Sequence, residues 1–472
     1  MSRDERTGTR PGESGILSSF GFLLAAQVIG AGLGLMFWIV VARLVPEREV
    51  GYAAAAISTQ LLLGTLTTLG LGTLFISELP LVGARGQRRL VLRGLGVATV
   101  ASVAVGAVVL ALRPFIGGSF GQALADPFGA GLFVAGIAGA ATCAVIDQAS
   151  LGLKRARLQV MRNLIASGLR FPLVLALLLA GDRNSTLLQA SWVVPLFISL
   201  AVSWWRLRLG RAASEQRELD EQAGTTGPDR TTLRADLSSY AGPALRNHAL
   251  NMAVTAASQL MPVIAGLVLL GAENASFAIA WQIASFVFLP PFLLATALFA
   301  HGANSSVAAF RATMRSTVPA GLVLSLALCV GAWTLGRPVM AVFGGHYAEN
   351  ATVILALLVP AGLWMVVKDH LVVLWRTQRR FATGISLSSI AVVIEVVGAT
   401  IGGLIGGADG LCLGWLAGTV VGIVVFVPWL REGFGGLRFR WPFSREALRL
   451  LRDSGSELGE PVTSEPGPPP SP

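Results

Sequence analysis

The chain alternates long apolar runs with short polar or Gly/Pro-rich breaks. The runs are too long for the core of a water-soluble domain. Mostly apolar spans fall at 16–42, 50–77, 90–112, 128–151, 163–181, 187–205, 242–269, 274–299, 316–335, 351–372, 382–406 and 408–428. Most approach or exceed the ~20 residues a helix needs to cross about 30 Å of hydrocarbon, and charges or Gly/Pro clusters bound them. The pattern predicts an all-α polytopic membrane protein of about 12 transmembrane helices in two six-helix bundles.

The polar breaks set an orientation. Twenty-nine of the 36 Lys and Arg residues lie at the N-terminus, in alternate connections and in the C-terminal stretch; the other connections hold only Arg43, Arg48, Arg113, Arg183 and Arg337. In this count Arg162 goes with the basic connection Lys154/Arg155/Arg157, and Lys368 with Arg376, Arg379 and Arg380. Basic residues stay on the cytoplasmic side, so both termini are expected there. A helix miscounted by one would invert every later loop and destroy this alternation. The first apolar run is too long for a signal-peptide h-region, and Ala42-Arg43-Leu44 is no cleavage site, so it is expected to remain as a helix.

The longest connection divides the chain evenly. We expect residues 1–15 as a cytoplasmic N-terminus and 16–206 as a first six-helix bundle. A charged linker over 207–241, a second bundle over 242–430 and a basic, Pro-rich tail over 431–472 follow. From Asp453 onward the tail reads as disordered, and Ser444–Arg452 is the only part expected to form a short surface helix.

The halves echo each other. Pro46-Glu47-Arg48-Glu49-Val50-Gly51-Tyr52-Ala53 and Gly271-Ala272-Glu273-Asn274-Ala275-Ser276-Phe277-Ala278 align without gaps, each a polar turn, a small residue, an aromatic and an alanine opening a helix. An even helix number per half makes the repeats parallel, related by an axis along the membrane normal, with a cleft between two bundles that rock. Glycines four apart (Gly30/Gly34, Gly402/Gly406, Gly403/Gly407, Gly414/Gly418, Gly418/Gly422) suit close helix packing, or reflect a chain holding 55 glycines.

Composition agrees with the pattern. Hydrophobic residues make up 53% and charged ones 13%, with a mean hydropathy of +0.67, against roughly 25% charged in soluble domains. The net charge of +10 sits in short clusters between apolar runs, without the aromatic-interleaved basic groove of a nucleic-acid binder, so no nucleic-acid partner is expected. Cys143, Cys329 and Cys412 lie inside apolar runs without ligand spacing, which implies neither disulfide nor metal.

The turn from Leu44 to Ala53, followed by Gly70-Leu71-Gly72, resembles the opening of Wzx-type polysaccharide (O-antigen) flippases of the multidrug/oligosaccharidyl-lipid/polysaccharide (MOP) exporter superfamily. The resemblance takes in the counterpart from Tyr240 to Asn304 and most of residues 15–430. It implies a MATE-like, multi-pass protein of the inner (plasma) membrane that moves a polyprenyl-pyrophosphate-linked oligosaccharide, a lipopolysaccharide or other polysaccharide precursor, to the outer leaflet. Its implied partners are that substrate, membrane lipids and other polysaccharide-assembly proteins, with no cofactor. Physical chemistry sets the matching demand: an unpaired pyrophosphate in hydrocarbon would cost tens of kcal/mol by Born solvation, so a shielded cationic cavity is required. With the inside negative, outward movement of each anionic charge gains about 2.3 kcal/mol per 100 mV.

Ionisable groups inside spans are therefore the candidate site residues. Arg246 and Asn247, with His248, stand near the start of the seventh span; Arg170 lies in the fifth, about 10 Å from its start by helical rise. Both arginines suit a substrate cavity or snorkel to the interface. Gln27, Gln60, Gln259 and Gln282 line that cavity or bridge helices, with bridging preferred. Glu395, in the eleventh span, is protonated, faces water or pairs with Arg170 or Arg246; it is the candidate for ion coupling. Asp147 is expected to pair at the interface with Lys154 or Arg155. His301, His346 and His370 lie near helix ends without metal-ligand spacing.

Three other functions compete. A multidrug or cation antiporter would place acids early in each half, but the first span has none. A major-facilitator transporter shares the helix number, but Gly83–Arg89 lacks the acidic residue of its loop motif. A membrane-embedded glycan polymerase or transferase needs catalytic groups on large outer loops; here these loops are short, with no phosphate loop or triad spacing. A non-enzymatic transporter is expected.

Overall fold

In the computed structural model, apolar stretches free of internal helix breakers become helices. The described residues are 29–207 and 258–434, apart from 31, 182 and 303–306, together with 249, 252, 253 and 256. They are helical with no strands. In chain order the helices of the first part are α1 (Gly32–Leu44), α2 (Glu47–Leu66), α3 (Leu71–Glu78), α4 (Ala84–Ala111), α5 (Gly118–Ala123), α6 (Pro127–Gly152), α7 (Ala156–Leu179) and α8 (Ser185–Leu207). Those of the second are α9 (Ser258–Val268), α10 (Gly271–Gly302), α11 (Val307–Ala341), α12 (Gly345–Leu358), α13 (Ala361–Thr377) and α14 (Phe381–Phe434).

Eight helical stretches among the described residues are long and apolar enough to cross a membrane. The chain has a MATE-like, all-α polytopic membrane fold. At 1.5 Å per residue, α14 would extend about 80 Å as one rod, far beyond one bilayer. It folds back at Gly406 and Gly407, where Gly407 takes φ +59, beside the break expected between the last two spans. Gly398 and Gly402 of its first arm then face Gly414 and Gly410 of its second, where added methyl groups would collide with carbonyl oxygens. Close packing is thus the role of glycines in this hairpin. Gly30 and Gly34 have nothing near enough to play it among the described residues.

One expected span is broken: 50–77 divides into α2 and α3 at Leu69 (φ 49) and Gly70 (φ 77). In the span over 351–372, α12 and α13 meet at Val359 and Pro360 with both residues still helical in φ/ψ, so Gly345–Thr377 runs as one apolar stretch. Period and length show the apolar run over 50–77 but not the left-handed turn within it.

Helices of each part pack mainly on one another, and α2 against α10 is the principal contact between the parts. These are the helices opened by the two echoing turns. Asn274 Nδ2 donates to Gly51 O at 2.7 Å, and a Cβ on Gly51 would collide with Gly271 O. Beside them, Ser119 N and Oγ donate to Leu269 O at 2.8 and 2.9 Å, and Gly271 N donates to Ser119 Oγ at 3.0 Å. Arg43 Nε donates to Val342 O at 2.6 Å. These hydrogen bonds join the parts at the end that carries Arg43, Arg48 and Arg113, the outer end in the topology expected from the sequence.

Candidate functional site

The first part holds a polar interior. α6, α7 and α8 pack on one another, and α1 brings Phe37 and Trp38 against Trp192 of α8, with ring centroids 5.7 and 6.3 Å away. Arg170 of α7 lies over the Trp192 ring, Cζ 3.3 Å from its centroid, which is cation–π contact. Arg170 makes no hydrogen bond or ion pair among the described residues, and its Nε is shut off from solvent without a partner. The Trp192 indole N–H, Gln189 Nε2 and Gln60 Oε1 are likewise buried and idle.

Gln60 bridges helices, as preferred from the sequence: its Nε2 lies 3.4 Å from Gln189 Oε1 and 3.3 Å from Leu132 O. Gln189 and Trp192 project from neighbouring turns of α8. Unused buried polar groups are rare in native proteins. Here three side chains offer donors (Arg170, Trp192 and Gln189), and Phe37 and Trp38 pack on the Trp192 ring. That arrangement suits a ligand rich in acceptors, with negative charge favoured by the guanidinium.

Arg162, on the same helix, shows the opposite case. Its Nε donates to Asp147 Oδ1 at 2.6 Å and its Nη2 to Oδ2, with Asn163 Oδ1 accepting from Nη2 at 2.8 Å. The expected partners of Asp147, Lys154 and Arg155, lie beyond a turn in which Lys154 adopts φ 57. Arg162, counted as a loop residue, is buried in α7 because this carboxylate compensates it.

In the second part Glu395 is 2% exposed. Trp415 Nε1 donates to its Oε2 at 3.1 Å, and Oε1 has no partner. The ion pair considered with Arg170 is absent: Arg170 lies against α8, and Glu395 faces the returning arm of its own helix at Gly418. Gln259 is partly buried on α9, and Gln282 on α10. Arg246, Asn247 and Gln27 lie outside the described residues, as do the linker over 208–241 and the tail from 435. Lys368, counted with a loop, is 5% exposed inside α13. At the outer end a separate cavity of about 300 Å³ is lined by Glu273, Ser276, His346, Asn350 and Asp409. No group of three or more acids, histidines and cysteines among the described residues is placed to hold a metal.

Sequence reasoning missed Gln189 and Trp192. A signal was present, since Gln189 is an amide within an apolar span, three residues before a tryptophan.

No family model matches the chain, and no curated protein matches it. Solved structures do match. An inward-facing multidrug-resistance MATE family transporter of the MOP superfamily aligns at TM-score 0.64 and 15% identity, covering 86% of this chain and 94% of that one. The lipid II flippase MurJ in an inward closed conformation aligns at 0.63 and 11%, covering 93% and 92%. An outward-facing MATE transporter of the superfamily aligns at 0.53 and 15%, covering 89% and 96%. At these identities the likeness is one of fold, and the fold is that of the MOP-superfamily transporters.

Proposed function

We propose that this chain is a flippase that carries a polyprenyl-pyrophosphate-linked oligosaccharide, or a related polysaccharide precursor, from the inner to the outer leaflet of the plasma membrane by alternating access. Arg170 carries the reading. A guanidinium inside the membrane, stacked on Trp192 and lacking any carboxylate, needs a counter-charge, and a diphosphate supplies one. Trp192 and Gln189 add donors for phosphate or sugar oxygens, while Phe37 and Trp38 back the tryptophan. Arg246, Asn247, Gln27 and Gln259 are assigned to the same central cavity by the sequence reading.

The architecture assigned with this reading is twelve passes in two bundles, 16–206 and 242–430, with both termini cytoplasmic. Net outward movement of an anion is driven by the membrane potential, and Glu395 is the candidate for ion coupling. The protein performs no covalent chemistry and works beside the polysaccharide-assembly proteins that supply and consume its substrate.

The test is a deletion strain complemented with the wild-type or an Arg170→Ala gene. Lipid-linked oligosaccharide should accumulate on the inner leaflet of the deletion strain, clear with the wild type and persist with Arg170→Ala at normal membrane levels. Drug sensitivity without glycan accumulation would instead assign the chain to multidrug export.

A further inference from the structure

The outer end of the second part holds a cavity that substrate binding at Arg170 leaves unused. It measures about 300 Å³, at the lower end of the roughly 300–1,000 Å³ of small-molecule sites. Its walls come from three helices. α10 contributes Glu273 and Ser276, α12 contributes His346 and Asn350, and the fold-back of α14 contributes Gly406 and Asp409.

The walls are fixed by the protein's own hydrogen bonds. Glu273 Oε1 accepts from Ala408 N at 2.7 Å, which ties α10 to the start of the returning arm of α14. The His346 ring joins α12 to α10, with Nε2 3.3 Å from Ser276 Oγ and Nδ1 3.3 Å from Asn350 Nδ2. Asn350 Nδ2 also donates to His346 O at 2.9 Å. The space between the walls is open: a Cβ on Gly406 would meet nothing within 4 Å among the described residues. Glu273 Oε2, Asn350 Oδ1 and the exposed Asp409 carboxylate accept no hydrogen bond among the described residues.

Charge decides the class of ligand. The first turns of α10, of α12 and of the returning arm of α14 supply Glu273, His346 and Asp409 to the lining. Each helix N-terminus carries roughly half a positive charge, about +1.5 for the three, against two carboxylates. The site is therefore within about half a charge of balance. An anion would face Glu273 and Asp409, and a cation would face three N-termini, so neither gains much. Acceptors and donors nevertheless stand side by side. α12 begins without a side-chain cap, which leaves its first N–H groups as donors, beside the carboxylate and amide oxygens. A hydroxyl donates and accepts at once, and a ring bearing several of them uses both. Ile354 adds an apolar surface for the C–H face of such a ring.

We propose that this cavity binds one neutral sugar ring, with Glu273, Asp409 and Asn350 accepting from its hydroxyls. On the flippase reading the ring is a residue of the exported glycan, held as it reaches the outer face. Binding itself does not rest on that reading; the assignment of the ring to the glycan does.

The test uses the full-length protein in nanodiscs and saturation-transfer NMR. The probes are the methyl glycosides of glucose, galactose, mannose and N-acetylglucosamine, with choline and acetate as charged controls. At least one glycoside should show transfer, and neither ion should. Asp409→Ala removes an exposed acceptor, and Gly406→Phe fills the open space at a backbone φ of −130 that any residue adopts. Each should lower the glycoside signal at least fivefold, and either decides alone if the other fails to fold. The proposal is overturned if no glycoside binds, if only choline or acetate binds, or if the signal survives in both folded variants. Export in the complemented deletion strain then separates the two sources of the sugar. A fall of at least threefold in Asp409→Ala assigns the ring to the glycan, and full export with lost glycoside binding assigns it to a free sugar. Glycan export by a wild type that binds no glycoside removes the sugar site alone, whereas glycoside binding without glycan export removes the flippase reading alone.

Discussion

The outer seam and the interior of the first part are both built from polar groups within a membrane protein, yet they use them in opposite ways. At the seam, Ser119, Asn274, Gly51 and Leu269 answer one another's donors and acceptors, and Gly51 leaves no room even for a methyl group. In the interior, Arg170, Trp192, Gln189 and Gln60 keep atoms unused. A satisfied, close-packed contact belongs to the protein alone, whereas an unsatisfied one has capacity left for a ligand. In the proposed transport cycle, the seam closes and the interior holds the substrate.

The largest expected effect comes from breaking the seam. Gly51→Val places a branched side chain where Gly271 O and Ala275 N already stand. Overpacking of this kind costs roughly 1–3 kcal/mol when side chains can yield, and here the obstacle is backbone. The outer end should no longer close. Maleimide labelling of Ser119→Cys from outside should rise at least tenfold, and transport should fall to background. Unchanged labelling in a folded variant would show that this contact is not what closes the outer end.

Next in size is the control within the first part. Arg162 and Arg170 share α7, but only Arg162 has a carboxylate. Removing one member of a buried pair costs about 3–5 kcal/mol, so Arg162→Met should lower the melting temperature sharply, and Asp147→Asn/Arg162→Met should recover much of the loss. Arg170→Met strands no carboxylate. It should melt within a few degrees of the wild type and lose about tenfold or more in glycan export. Arg170→Lys, which keeps the charge but not the planar stack on Trp192, should fall between. If Arg170→Met destabilised as much as Arg162→Met, the contrast between paired and idle arginines would fail.

The sequence disclosed the fold through span length and the fold-back near Gly407, because hydrocarbon thickness acts on every helix alike. The echo of Gly51 in Ser276 marked the two turns as equivalent but did not disclose that they meet, which the packing of α2 on α10 brings about. The sequence hid what depends on side chains converging from distant helices. Asp147 reads as a partner of Lys154 or Arg155 when distance along the chain is the guide, and the fold supplies Arg162. Lys368 reads as a loop charge because it precedes Arg376, and the helix carries it into the core. Arg170 was legible as an ionisable group within a span, but its stacking on Trp192, and the idle amide of Gln189 one turn away, required the packing of α7 on α8.

The smallest effect tests whether the interior is tuned for acceptors. Gln189→Leu keeps the volume but removes an unused donor and the weak bridge to Gln60. A neutral hydrogen bond contributes about 0.5–1.5 kcal/mol net, so export should fall by roughly two- to tenfold with little change in melting temperature. Gln189→Glu adds negative charge one helical turn from Trp192, on which Arg170 stacks. An anionic carrier should then be exported less well than by Gln189→Leu, because repulsion is added to the lost donor. A cationic drug would show the reverse order. Ranking the two variants against each substrate reads the polarity of the site directly, and a better export of glycan by Gln189→Glu than by Gln189→Leu would mean that Arg170 is not its counter-charge.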